Sequence, residues 1–111
     1  MPFVQLTTRA PVSRDLAERL ADDLAQALGL PAGAVIVQRI VTAGTGASSP
    51  NSPTVDAGAV AVIRGRPRAP YLMREAVTRA AAVLTRELAL DPGLVLVSWP
   101  DPGVVATGAG S

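Results

Sequence analysis

Two features of the sequence carry unusual chemistry: a proline at position 2 and the arginine-rich segment Arg64-Gly-Arg-Pro-Arg68. Removal of an initiator methionine favours a small second residue, and loss of Met1 would turn the Pro2 nitrogen into a free secondary amine. A terminal amine has a pKa of about 7.7–8.0 in model peptides, and a secondary amine starts higher. An apolar pocket and neighbouring guanidinium charges both oppose protonation. They bring such an amine toward neutrality, where a general base works best. Retained Met1 would leave an amide without basicity. Pro2 is therefore the candidate base.

Alternate residues of an extended chain share a side, so Arg64, Arg66 and Arg68 are expected to converge, with Pro67 stiffening the segment. Guanidiniums hold carboxylates through paired hydrogen bonds; a solvated basic turn is the bland alternative. Arg39, at the end of the second strand, is a further substrate-binding candidate, from its own subunit or a neighbour's. Tyr71 can donate a hydrogen bond or pack structurally, and Trp99 can wall a pocket or fill an interface. Together these residues suit proton transfer. Pro2 would take a proton from an enol hydroxyl or an acidic carbon and return it to a neighbouring carbon. Arg66 or Arg68 would anchor a carboxylate and stabilise developing oxyanion charge.

The remaining composition closes other routes. The 111 residues contain no His, no Cys and no Lys, all ten basic residues being Arg. Imidazole catalysis, thiol nucleophiles, Schiff-base lysines and nearly all zinc or haem ligation are therefore excluded, and no cofactor is expected. Gly44-Thr-Gly46 lacks the third glycine of a dinucleotide fingerprint, and a phosphate-binding Walker loop needs the absent Lys. A net charge of +1 gives no field for nucleic acid or an acidic membrane. No apolar stretch reaches the ~18 residues of a membrane span, and the first residues do not read as a signal peptide, so a cytoplasmic location is expected.

The elements that must position these groups come from an internal duplication. Leu28-Gly-Leu-Pro-Ala-Gly33-Ala-Val-Ile-Val37 returns as Leu88-Ala-Leu-Asp-Pro-Gly93-Leu-Val-Leu-Val97, sixty positions on. Each half reads as strand, helix, strand. Phe3 to Thr8 alternates as a strand, Ser13 caps a helix, and Leu16, Leu20, Leu24 and Leu28 form its stripe until Gly29 and Pro31 stop it. Ala34 to Val37, continuing to Ile40 and Val41, reads as a buried strand. In the second half Ala59 to Ile63 is a strand, Pro70 opens a helix, and Leu94 to Val97 closes the unit. Parallel strands joined by right-handed crossovers then give one α+β domain, a four-stranded sheet with two helices on one face. The units are expected at 1–41 and 58–99, with a connecting loop at 42–57 and a tail at 100–111. A mean hydropathy of +0.34 in so short a chain, and a sheet face left apolar, predict subunit packing.

With Pro2 opening the first strand, two βαβ units, about 110 residues and Arg66-Pro-Arg68 after the third strand, the chain resembles the tautomerase superfamily throughout its length. Its length is similar to that of the macrophage migration inhibitory factor group. Arg66-Pro-Arg68 looks like the segment found in malonate semialdehyde decarboxylase, and Arg68 also falls near an arginine of cis-3-chloroacrylic acid dehalogenase. Arg9 is offset from the first-unit arginine of 4-oxalocrotonate tautomerase. The resemblance implies a homotrimer, Pro2 as the catalytic amine, and Arg66 and Arg68 as holders of a substrate carboxylate. It also implies an aromatic pocket wall at Trp99. Ala34 stands where the decarboxylase has a catalytic Asp, and Leu30 where the inhibitory-factor group has a pocket Lys. Keto–enol or double-bond isomerisation of a small carboxylate-bearing 2-oxo acid is the expected activity. Hydration, decarboxylation or dehalogenation with protonated Pro2 as an acid, and a non-catalytic trimeric binding protein, are the alternatives.

Overall fold

A computed structural model describes residues 2–41 and 58–100; the expected loop at 42–57, with its Gly44-Thr-Gly46, and all but the first residue of the expected tail lie outside the described residues. The element order is β1 (Phe3–Thr8), α1 (Arg14–Leu28), β2 (Ile36–Val41), β3 (Ala59–Arg64), α2 (Pro70–Glu87), a short 3-10 turn (Pro92–Leu94) and β4 (Val95–Ser98). The sheet runs β2-β1-β3-β4, with β1 parallel to β2, β3 parallel to β4 and the central pair antiparallel. The duplication is therefore a pseudo-twofold about the middle of the sheet.

Alternation decides which face each strand residue meets. Val4, Leu6 and Thr8 of β1 and Ala59, Ala61 and Ile63 of β3 are buried beneath the helices. Leu16, Leu20 and Leu24 of α1 and Ala76, Ala80 and Leu84 of α2 close the core above them. A fully buried Leu or Ile contributes roughly 1.5–3 kcal/mol over leaving it in water, so this single layer holds the fold. Arg19 and Glu87, 3.2 Å apart, join the helices at the surface, and Glu75 and Arg79 pair along α2 at 3.1 Å.

The opposite face carries Phe3, Ile36, Ile40, Val60 and Leu96, all exposed in the single chain. This corrects one expectation. The run from Ala34 reads as a buried strand in the sequence, but β2 starts at Ile36, forms a sheet edge and is exposed at five of its six residues. Its apolar residues serve the uncovered face as much as the core.

Both helices end in the same way, with different residues. Ser13 Oγ accepts the Leu16 N–H at 3.1 Å to open α1. At its end Gly29 takes φ 69°, and the Leu30 N–H reaches the Ala25 carbonyl at 2.8 Å. In α2 Ala89 takes φ 52°, and the Leu90 N–H reaches the Thr85 carbonyl at 3.1 Å. An L-residue in that region costs about 1–2 kcal/mol that glycine avoids. Ala89→Gly is therefore expected to stabilise the protein, by about 0.5–1 kcal/mol after the entropy of the unfolded glycine is counted; denaturant melts of the two proteins measure it.

Candidate active site

The antiparallel centre brings the start of β1 beside the end of β3. Phe3 lies opposite Arg64, so Pro2 faces Gly65 as the chain leaves the strand. The Pro2 side chain is fully buried, and its carbonyl accepts the Ile36 N–H at 3.1 Å, tying the first residues to β2 as well. A Cβ placed on Gly65 would lie 3.4 Å from Trp99 Cζ2 and 3.5 Å from both Cα and Cβ of Pro2. Pro2 and Trp99 thus flank the bare backbone of Gly65.

Trp99 Cζ2 is bonded to the ring carbon that bears Nε1, so the N–H edge of the indole is the edge nearest Gly65. That Nε1 is buried and has no hydrogen-bond partner among the described residues, and the same holds for Arg68 Nε. Arg68 lies three positions beyond Gly65, at most about 11 Å of chain. A buried donor left unpaired costs about 1–3 kcal/mol. Two of them at the same end of the sheet suit an oxygen acceptor supplied from outside the chain.

The other expected residues fall differently. The three arginines do not line up on one side. The β-strand stops at Arg64, and the chain bends at Arg66, so the alternation of an extended chain lapses at Gly65. Arg64 lies on the uncovered face, its Nε donating to Gln5 Oε1 at 3.3 Å. Arg66 is exposed, and Arg68 is half-buried. Tyr71 sits in the first turn of α2 and is 72% exposed. Arg9 follows β1 and Arg39 lies in β2, both toward the far end of the sheet from Pro2. From Pro2 to Arg9 the strand rise gives about 23 Å. One chain therefore assembles Pro2, Arg68 and Trp99 at one end, and Arg9 with Arg39 at the other.

Gly65 was not singled out in the sequence, although a glycine between two arginines at a strand end was its visible signal. Gly65→Val should drive its methyls into Trp99 and Pro2. A loss of about 1–3 kcal/mol is expected from overpacking. Trp99 is the only tryptophan, so its emission reports both the melt and the displaced ring.

No family model matches the sequence, and no curated protein matches it. Solved structures do. An asymmetric trimer of wild-type R7 fused 4-OT superposes with a TM-score of 0.78 at 16% identity, covering 98% of this chain and 94% of that one. Pt0534 inactivated by 2-oxo-3-pentynoate gives 0.72 at 18% identity, covering 97% and 93%. A macrophage migration inhibitory factor-like protein from Entamoeba histolytica gives 0.68 at 14% identity, covering 88% and 85%. At these identities the likeness establishes the fold, which is that of the tautomerase superfamily.

Proposed function

We propose that this chain is a cofactor-independent isomerase of the tautomerase superfamily that works as a homotrimer on small carboxylate-bearing 2-oxo acids. The observation that carries the proposal is Pro2, buried at the second position against Gly65 and Trp99, with unpaired buried donors on Trp99 and Arg68. With Met1 gone, the Pro2 nitrogen is a secondary amine at the edge of an apolar setting. Burial opposes its protonated form and favours the free base.

In this mechanism the amine takes the proton of an enol hydroxyl, and electrons move through the double bond as the carbonyl forms. The same proton, or one from water, is returned to the neighbouring carbon. Substrate and product are isomers, so nothing else is consumed. Arg68, with Arg66 at the exposed mouth, holds the carboxylate and stabilises charge on the forming oxyanion. Arg64 and Tyr71 sit on the approach to this end and contribute outer contacts. The apolar face of Phe3, Ile36, Val60 and Leu96 supports assembly, as do the trimers of fused 4-OT with this fold.

Two measurements test the proposal. Phenylenolpyruvate and 2-hydroxymuconate should ketonise faster with the protein than in buffer, followed by ultraviolet absorbance, with Met1 shown to be absent by mass spectrometry. Because Pt0534 is inactivated by 2-oxo-3-pentynoate, that reagent should add to the Pro2 amine across its alkyne, all atoms being retained. The terminal peptide then gains the mass of one reagent molecule, and activity falls in step. No rate above buffer and no labelled terminal peptide would reject the reading.

A further inference from the structure

Trp99 stands at the Pro2 end with a polar atom that the rest of the described chain does not use. It follows directly on β4, whose last pairing sets Ser98 against Val62, and its ring packs against the hydrophobic core. That packing holds the indole with its N–H edge toward Gly65. Trp99 Cζ2 and Pro2 Cα both lie within 3.5 Å of the one point where a Gly65 Cβ would stand, so they are no more than twice that distance apart. Nε1 is buried without a hydrogen-bond partner among the described residues. The equivalent residue of the first unit differs. Arg39, sixty positions earlier, donates from Nη1 to the Val12 carbonyl. One copy of this position uses a donor inside the chain, and the other holds its donor beside Pro2.

An indole N–H can only donate. It matches a lone acceptor oxygen, whereas the Arg68 guanidinium matches the two oxygens of a carboxylate. A 2-oxo acid presents both, a carboxylate and, on the next carbon, the C2 oxygen. That oxygen is also the atom whose proton passes to Pro2 when the enol ketonises. An oxygen held by both groups would lie about 3 Å from Nε1 and from the Pro2 nitrogen, which sets the two nitrogens about 5–6 Å apart. The shared contact point over Gly65 is compatible with that spacing. As the hydroxyl proton moves to Pro2, negative charge grows on the C2 oxygen and its hydrogen bond to the indole strengthens. The charge is discharged when the neighbouring carbon takes a proton and the carbonyl forms. An acid with no oxygen at C2 would leave the buried N–H unmatched, and sites with such a donor reject such ligands.

We propose that Trp99 is a catalytic residue of this site, its indole N–H donating to the C2 oxygen and selecting 2-oxo acids over acids bare at C2. The assignment rests on the isomerase reading of Pro2.

The chain has one tryptophan, so the isotope-labelled protein gives one indole N–H resonance. Pyruvate should move it downfield in a saturable way. Propionate, the same acid without the C2 oxygen, should not. Replacing Trp99 biosynthetically by 3-benzothienylalanine puts sulfur in place of the N–H and keeps the fused rings, so the packing beside Gly65 is preserved. Ketonisation of phenylenolpyruvate should then fall at least about tenfold in kcat, with KM changed less, and Trp99→Phe should fall at least as far. Arg68→Gln should instead act chiefly on KM. The proposal fails if the sulfur-substituted protein keeps the native kcat, if pyruvate leaves the resonance in place, or if propionate moves it equally. Should the native protein ketonise nothing, the isomerase reading falls, and the indole resonance still decides whether Trp99 meets a C2 oxygen.

Discussion

Pro2→Ala should ketonise phenylenolpyruvate at least about 100-fold more slowly than the native protein, and the loss should appear in kcat rather than KM. Positioned acid–base groups contribute typically 10²–10⁴-fold. Alanine keeps a terminal amine, but a primary one without the ring, and the ring is what packs in the buried position beside Gly65 and Trp99. A variant that retains Met1 should lose the whole effect, because its Pro2 nitrogen is an amide. Comparing the two variants separates the need for an amine from the need for proline. The pH profile adds a sign. A base must be unprotonated, so kcat/KM should rise with pH through the pKa of the amine and then level off. A profile falling over that range would instead point to protonated Pro2 acting as an acid. Equal rates for the native and both variant proteins would remove Pro2 from the mechanism.

Val60→Asp should dissociate the assembly. Val60 sits in the middle strands of the uncovered face, 43% exposed in the single chain, with Phe3 and Leu96 nearby on the same surface. Burying an unpaired carboxylate between subunits costs several kcal/mol at each interface it enters. Solvent-exposed in a monomer, the same carboxylate costs little. The change should therefore act on association, and light scattering should record a mass near 11.3 kDa per particle in place of an oligomer. A matching loss of activity would show that the catalytic end is completed by a neighbour. An unchanged mass would mean that the apolar face is covered some other way.

Much of the fold was legible because local signals agreed. The four-residue spacing of Leu16, Leu20 and Leu24, the Ser13 cap and the Gly29 stop all pointed to one helix, and the structure has it at Arg14–Leu28. The repeat beginning at Leu28 and Leu88 dictated two equivalent units and hence one sheet. The misreadings share a cause. Hydropathy alone does not distinguish apolar residues turned to the core from those turned to an uncovered face, so the run from Ala34 looked like an interior strand. The convergence of Arg64, Arg66 and Arg68 assumed an extended chain, whereas the strand stops at Arg64 and the chain bends at Arg66, between Gly65 and Pro67. Which end of the sheet holds Arg9 and Arg39 was likewise beyond sequence reasoning. Which ends of the strands adjoin depends on the antiparallel pairing of β1 with β3, a long-range contact with no local trace.

That antiparallel centre has an evolutionary consequence. Gene duplication copies every residue of a unit, but a chain has a single amino terminus. If chemistry depends on a terminal amine, fusing two units leaves one end of the sheet under selection and releases the other from it. The difference between tryptophan at position 99 and arginine at the equivalent position 39 is the kind of divergence such release permits. It makes the far end the natural place to introduce new side chains without disturbing the first.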